Sequence, residues 1–168
     1  PNGFKSIHSF VAEYPWLNQN VKIDDQVDHT IESIMSAARA QKRQGLDFIF
    51  IDYIQLLNSS ARTESRYQEL GIMSKAAKQM ARKLDIAVLV ASQLNREPEK
   101  QGRLPNLADL RESGNLEADA DAVLMLSRGG DDTMPDMPMV TLSIVKNRTG
   151  VAPDLLSLPE HFEQQRLG

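Results

Sequence analysis

The sequence predicts an α/β fold, with a mostly parallel sheet flanked by helices and an antiparallel hairpin near the C-terminus. Three observations carry that expectation. Residues 46–52, 86–91 and 122–127 are apolar runs rich in branched and aromatic side chains, the pattern of strands covered on both faces. Residues 65–84 lie between the first two and carry apolar side chains at helical spacing, which makes a strand–helix–strand unit. Residues 140–145 and 155–158 flank a polar stretch and read as a final pair of strands.

The remaining elements follow in order. Phe4, Ile7, Phe10, Val11 and Tyr14 are spaced as on a short amphipathic helix that ends before Pro15. Residues 21–23 are a short apolar piece, read as a strand. Asp24 and Asp25 then cap a helix running to Arg43, with Val27, Ile31, Ile34, Met35 and Ala38 as its stripe and Gly45 as its stop. In the helix over 65–84, Leu70, Met73, Ala77, Met80, Ala81 and Leu84 form the buried side. Residues 58–64 and 93–106 read as loops, 115–120 as one helical turn, and 129–138, with two glycines, three aspartates and two prolines, as a turn. This divides the chain into an N-terminal helical segment (1–20), a core (21–158) and a polar, frayed tail (159–168).

Composition narrows the classes. A chain of 168 residues, 41% hydrophobic and 25% charged, suits one globular domain. There is no cysteine, which excludes disulfides and thiolate metal sites. His8, His29 and His161 lack the spacing of a zinc site. No apolar run is long enough for a membrane span and the start does not read as a signal peptide, so a cytoplasmic protein without a membrane partner is expected. The net charge of −4 argues mildly against nucleic acid. That argument is weak, because a ring can keep a few cations on an inner loop and stay acidic outside.

Four places could carry chemistry. Asp52 ends a buried strand, at the sheet edge where ligands bind in open α/β folds. A carboxylate there either closes the strand in solvent or holds Mg²⁺ through water. Ser92 and Gln93 end the next strand, and a glutamine there either is loop polarity or senses a phosphate and orients water. Residues 109–114, reading DLRESG, offer Arg111 and Gly114 to a phosphate backbone, or else form a loop with an internal ion pair. Lys146 and Arg148, one residue apart at a strand end, point the same way and form either an exposed basic hairpin or a γ-phosphate clamp.

Together these pieces resemble the RecA-like motor domain of DnaB-family replicative DNA helicases. Residues 51–56, IDYIQL, resemble the family's Walker B stretch, and residues 89–96, LVASQLNR, the strand and sensor loop that follow. Residues 109–126, DLRESGNLEADADAVLML, are similar to its DNA-binding loop and next strand, and residues 146–150, KNRTG, to its arginine-finger hairpin. Order and spacing agree from residue 21 to 150.

The resemblance implies a RecA-like P-loop NTPase core and an ATP- and Mg²⁺-dependent enzyme that moves on single-stranded DNA and unwinds duplex during replication. Its catalytic and nucleotide-binding residues would be Asp52 (the Mg²⁺-associated carboxylate, through water), Gln93 (the γ-phosphate sensor), and Lys146 and Arg148 (reaching the adjacent subunit's ATP). Arg111, Glu112 (through its main chain) and Gly114 would contact single-stranded DNA. The implied partners are neighbouring subunits in a homo-hexamer, DNA, and with them primase and a helicase loader.

Two departures bear on these expectations. No G-x-x-x-x-G-K-[ST] occurs; Gly3-Phe4-Lys5-Ser6 has the wrong spacing. The P-loop, its Mg²⁺-binding hydroxyl and the catalytic glutamate are expected upstream of residue 1, and the chain by itself is expected to lack ATPase activity. A RecA-like sheet carries the P-loop strand at its centre, so without it two neighbouring strands face a vacancy wider than about 4.8 Å. Either those strands close up, or a partner fills the slot, or the piece is poorly stable. Second, residues 151–162, VAPDLLSLPEHF, lack the family's Gly-rich continuation, which would alter the final hairpin. Two other readings compete: a non-catalytic remnant that binds helicase subunits or DNA, and a RecA-type recombinase with the same sheet.

Overall fold

A computed structural model describes residues 20–26, 28–110, 114–128, 139–150, 152, 154–161 and 166–167. The fold is α/β, as expected. The expected helix within residues 4–14, Val27, and the turn at 129–138 lie outside the described residues.

Helix α1 spans Ile31–Lys42. It starts six residues later than Asp25. Thr30 is its N-cap and forms a reciprocal capping box with Ser33. Residues 21–26 form no strand. Asp24 instead accepts from the Gln26 amide and pairs with His29 at 3.0 Å, so the two aspartates precede the helix without capping it.

Strand β1 is Phe48–Ile51, helix α2 is Arg66–Leu84 and strand β2 is Ala87–Val90. The β1–α2–β2 unit is parallel, with Phe48 opposite Ala87 and Ile51 opposite Val90. Ser65 caps α2 through the Gln68 amide, and Asp85 closes it in the left-handed region at φ 50°. Leu70, Met73, Ser74, Ala77 and Met80 are buried, at the three-and-four spacing of one helical face. That face, with α1, covers one side of the parallel pair. Ile31, Ile51, Ile54, Leu57, Leu70 and Met73 make one core, and Ala38, Met80 and Ile86 a second, linked to it through Ile34, Ile49 and Val88.

The other side of this pair differs from the expectation of strands covered on both faces. Phe48 and Phe50 of β1 and Leu89 of β2 share a face by register and are exposed (51%, 55% and 45%). A doubly apolar strand sequence therefore coexists with cover on one face only among the described residues.

Helix α3, Glu97–Gln101, falls within the stretch read as loop. Its signals are a proline at its N-terminus and Gly102 at φ 60° after its end. Helix α4, Gly114–Asp119, leads into β3, Ala122–Arg128. Strands β4 (Met139–Asn147), β5 (Asp154–His161) and β6 (Arg166–Leu167) complete an antiparallel sheet in the order β3-β4-β5-β6. The hairpin β4–β5 keeps continuous register despite the departure after Gly150, and β5 runs past residue 158 into the segment read as tail.

The six strands form two sheets, β1-β2 and β3-β4-β5-β6. Among the described residues no ladder joins β2 to β3.

Candidate functional site

The carboxyl ends of β1 and β2 are knitted together by the chain that follows them. The Ala91 amide donates to Ile51 O (2.9 Å) and the Ile54 amide to Ala91 O (3.0 Å). Residues Ile54–Leu56 make a 3-10 turn anchored by the fully buried Ile54. This turn presents Gln55, whose Nε2 donates to Ser92 Oγ (2.9 Å) and whose Oε1 accepts from the Gln93 amide (3.4 Å). One side-chain amide thus spans the corner between the two strand ends.

Asp52 stands beside that corner, exposed, and no side chain among the described residues pairs with it. No group of three or more acidic or histidine side chains able to hold a metal occurs among the described residues. A divalent cation at Asp52 would therefore rely on one carboxylate, water and phosphate oxygens. That is the usual ligand set of Mg²⁺ beside a nucleotide, so Asp52 fits it.

Arg66, at the start of α2, fixes the turn from below. It donates to Gln55 O (2.6 Å) and Leu57 O (3.0 Å) and pairs with Glu69. The Ser59 amide, and after it Arg66, hold the Glu69 carboxyl below its ordinary range.

The chain leaving Gln93 runs to the segment read as DNA-binding. The Asn95 amide donates to Asp109 O (3.3 Å). Asp109 closes the Leu107–Asp109 3-10 turn and is buried, and its carboxylate accepts two bonds from Arg103 and one from the Asn106 amide (2.8 Å each). Arg103, with the Asn106 amide assisting, pulls the Asp109 carboxyl down to about 2. Asp109 is thus held by Arg103, from outside residues 109–114, and an ion pair internal to that stretch would fall on residues that are not described. Arg111, Glu112 and Ser113 lie outside the described residues. Gly114 is the first residue of α4.

Helix α4 lies on α2. Ser74 donates to Asp119 Oδ2 (2.7 Å) and to Asn115 O (3.4 Å). At Gly71 an added Cβ would meet Asn115 Nδ2 at 2.3 Å, so the Asn115 side chain would have to turn aside.

Among the described residues no hydrogen bond or ion pair links Lys146 or Arg148 to the Asp52–Gln93 corner. Lys146 registers with Val123, at the amino-terminal end of β3, whereas Asp52 and Ser92 follow the carboxyl ends of β1 and β2. Within the chain, Lys146 Nζ donates to Glu117 O and Arg148 to Ala118 O (2.7 Å), both at the end of α4. Arg148 also lies 3.5 Å from Asp121, which Lys78 of α2 pairs with too. Lys78 first, then Arg148 and Lys146, lower the Asp121 carboxyl. The expected common rim thus has hydrogen bonds linking the strand end after Asp52 to Gln93 through Gln55, while the bonds of the cation pair run to α4 and Asp121.

Known proteins are similar to this chain in sequence and in fold. The family model for the DnaB-like helicase C-terminal domain matches residues 4–159. The chain belongs to that family. A replicative DNA helicase DnaB of Leifsonia xyli subsp. xyli is 42% identical over 132 residues, covering 76% of this chain and 29% of the relative. The DnaB of Haemophilus influenzae is 36% identical over 152 residues, covering 88% and 32%. Among solved structures, an ATPase domain superposes with a TM-score of 0.82 at 32% identity, over 97% of this chain and 60% of that one. A DnaB-like replicative helicase, described with its interactions with primase, gives 0.81 at 32% identity, over 99% and 42%. The chain therefore spans about a third of the length of these curated relatives. These curated relatives are named as replicative DNA helicases.

Gln55 was not among the site residues expected from the sequence. Its signal is nevertheless present, because it sits in the same IDYIQL stretch as Asp52. No helix of the described residues is long and apolar enough to cross a membrane.

Proposed function

We propose that this chain is part of the motor of an ATP-dependent replicative DNA helicase, which translocates on single-stranded DNA and unwinds duplex during replication. The observation that carries the reading is the hydrogen-bonded run from the Asp52 strand end through Gln55 to Gln93, and from Asn95 to Asp109. It joins a nucleotide-facing edge to the base of residues 111–114, so a change at one has a physical route to the other.

In this reading Asp52 holds Mg²⁺ through water, and Mg²⁺ supplies charge neutralisation to the triphosphate. Gln93 senses the γ-phosphate from its backbone anchor on Gln55. Arg111, the Glu112 main chain and Gly114 hold the DNA backbone. Lys146 and Arg148 contribute to the ATP site of the next subunit in a homo-hexamer. Their bonding away from the Asp52–Gln93 corner supports work across an interface. Primase and a helicase loader are partners of the whole assembly, which works in the cytoplasm. The chain by itself hydrolyses almost no ATP, because phosphoryl transfer depends on gripping the phosphates and no Walker A sequence is present.

A second reading, a non-catalytic DnaB-like subunit that binds helicase subunits or DNA, is favoured by the open face of Phe48, Phe50 and Leu89 and by an edge of β2 that pairs with no strand among the described residues. Such a face and edge suit another polypeptide.

Anisotropy of a labelled oligo(dT) tests the DNA role common to both. The chain should bind in a salt-dependent way, and Arg111→Ala should lower the slope of log K against log salt by roughly 0.7, the value for one lost contact on a single strand. Equal slopes for the two proteins would remove Arg111 from the DNA contact.

A further inference from the structure

The last four carbonyls of a helix lack partners within it and carry the negative end of the helix dipole. In α4 two of them are taken by cations from a strand end some thirty residues on. Lys146 covers Glu117 O and Arg148 covers Ala118 O. The backbone is drawn in as well, since the Arg148 amide donates to Asp121 O (2.9 Å). The arrangement is one of two cations capping a six-residue helix.

The same two side chains remain accessible. Arg148 is 49% exposed and Lys146 is partly so. A phosphate oxygen is a stronger acceptor than a neutral carbonyl, because charge-assisted bonds are roughly twice as strong as neutral ones. A triphosphate presented to this pair competes for the donors that α4 now uses.

We propose that Lys146 and Arg148 serve the α4 carbonyls and a phosphate group in exchange, so that engaging a nucleotide across a subunit boundary uncaps α4. The idea rests on the phosphate role proposed above for this pair. It makes both residues positioning residues for α4 as well as phosphate ligands. The helix has under two turns and begins at Gly114, so loosening at Ala118 reaches its first residue directly. Ser74 meanwhile holds α4 to α2 at Asn115 and Asp119.

The test uses the full chain, nuclear magnetic resonance and sodium tripolyphosphate as the probe. Two signals are read: the Lys146 and Arg148 side chains, and hydrogen exchange of the Ala120 amide, which bonds Leu116 O at 3.0 Å. The probe should shift the side chains and speed Ala120 exchange about three- to tenfold, the size expected for losing cations at a helix end. Arg148→Ala should speed that exchange without the probe and blunt any further response; Arg148→Lys should fall between. Side chains that respond while Ala120 exchange stays constant would overturn the exchange and leave the phosphate role standing. Side chains that do not respond at all would overturn the phosphate role, and the inference with it. The titration of the unaltered chain decides by itself, whether or not the variants fold.

Discussion

Arg103 and Asp109 meet fork to fork, through two N–H···O bonds of 2.8 Å each, with the carboxylate only 4% exposed. Such a pair is directional as well as strong, because both partners are planar. It fixes the turn that immediately precedes residues 111–113, and it does so beside the Asn95 anchor.

Asp109→Asn should therefore destabilise the chain, lowering the thermal midpoint by roughly 5 °C. The pH dependence has a definite sign. The Asp109 carboxyl lies at about 2 when folded against 3.8 ordinarily, so its contribution is complete above about pH 4 and is lost as pH falls through 2. Melts at pH 7, 4 and 2.5 should show the gap between parent and variant shrinking with acid. A gap constant across that range would assign the stabilisation to something other than the ion pair.

Gln55 bridges Ser92 and Gln93 with both ends of its amide. Gln55→Ala removes two bonds, at a cost of about 1 kcal/mol each. The informative measurement is local: hydrogen exchange of the Gln93 amide should rise about tenfold, beyond any change in α1. Unchanged exchange at Gln93 would mean the backbone bonds at Ala91 alone hold the corner.

Gly71 and Asn115 form a matched pair. In a helix interior, glycine to alanine normally stabilises by about 0.5–1 kcal/mol. Here the new Cβ meets Asn115 Nδ2 at 2.3 Å, so Gly71→Ala should be neutral or destabilising. In an Asn115→Ala background the same change should recover its ordinary gain. Denaturant titrations of the four proteins give this coupling directly, and an additive cycle would show that α4 does not press on α2 there.

How legible all this was differs by element. β1, α2, β2, β3 and the β4–β5 hairpin could be read because their apolar periods are strong and local. The start of α1 could not. Asp24 and Asp25 look like caps, but the Ile31 amide and the Thr30 capping box are set by a bridge to Asn58, a contact across 28 residues. The open face of Phe48, Phe50 and Leu89 was hidden for the opposite reason. An apolar sequence reports that a face suits burial, and does not report whether its cover is present.

The site divides in the same way. Asp52, Gln93, Lys146 and Arg148 stood out because charge or amide follows an apolar run. The partners of the cations did not, since the Glu117 and Ala118 carbonyls carry no sequence signal. Asp109 was visible, but its pairing with Arg103 depends on the Leu107–Asp109 turn folding back.

In the proposed motor, Arg148 completes a nucleotide site belonging to another subunit. Steady-state ATP turnover of an intact DnaB-type helicase, with this chain titrated in, tests it most directly. The chain alone should show background turnover, the parent chain should change the ring's rate in proportion to its share, and Arg148→Ala should remove that effect. An Arg148→Ala chain that acts like the parent, or Mg²⁺-dependent turnover by the chain alone at the level of an intact motor, would contradict the account.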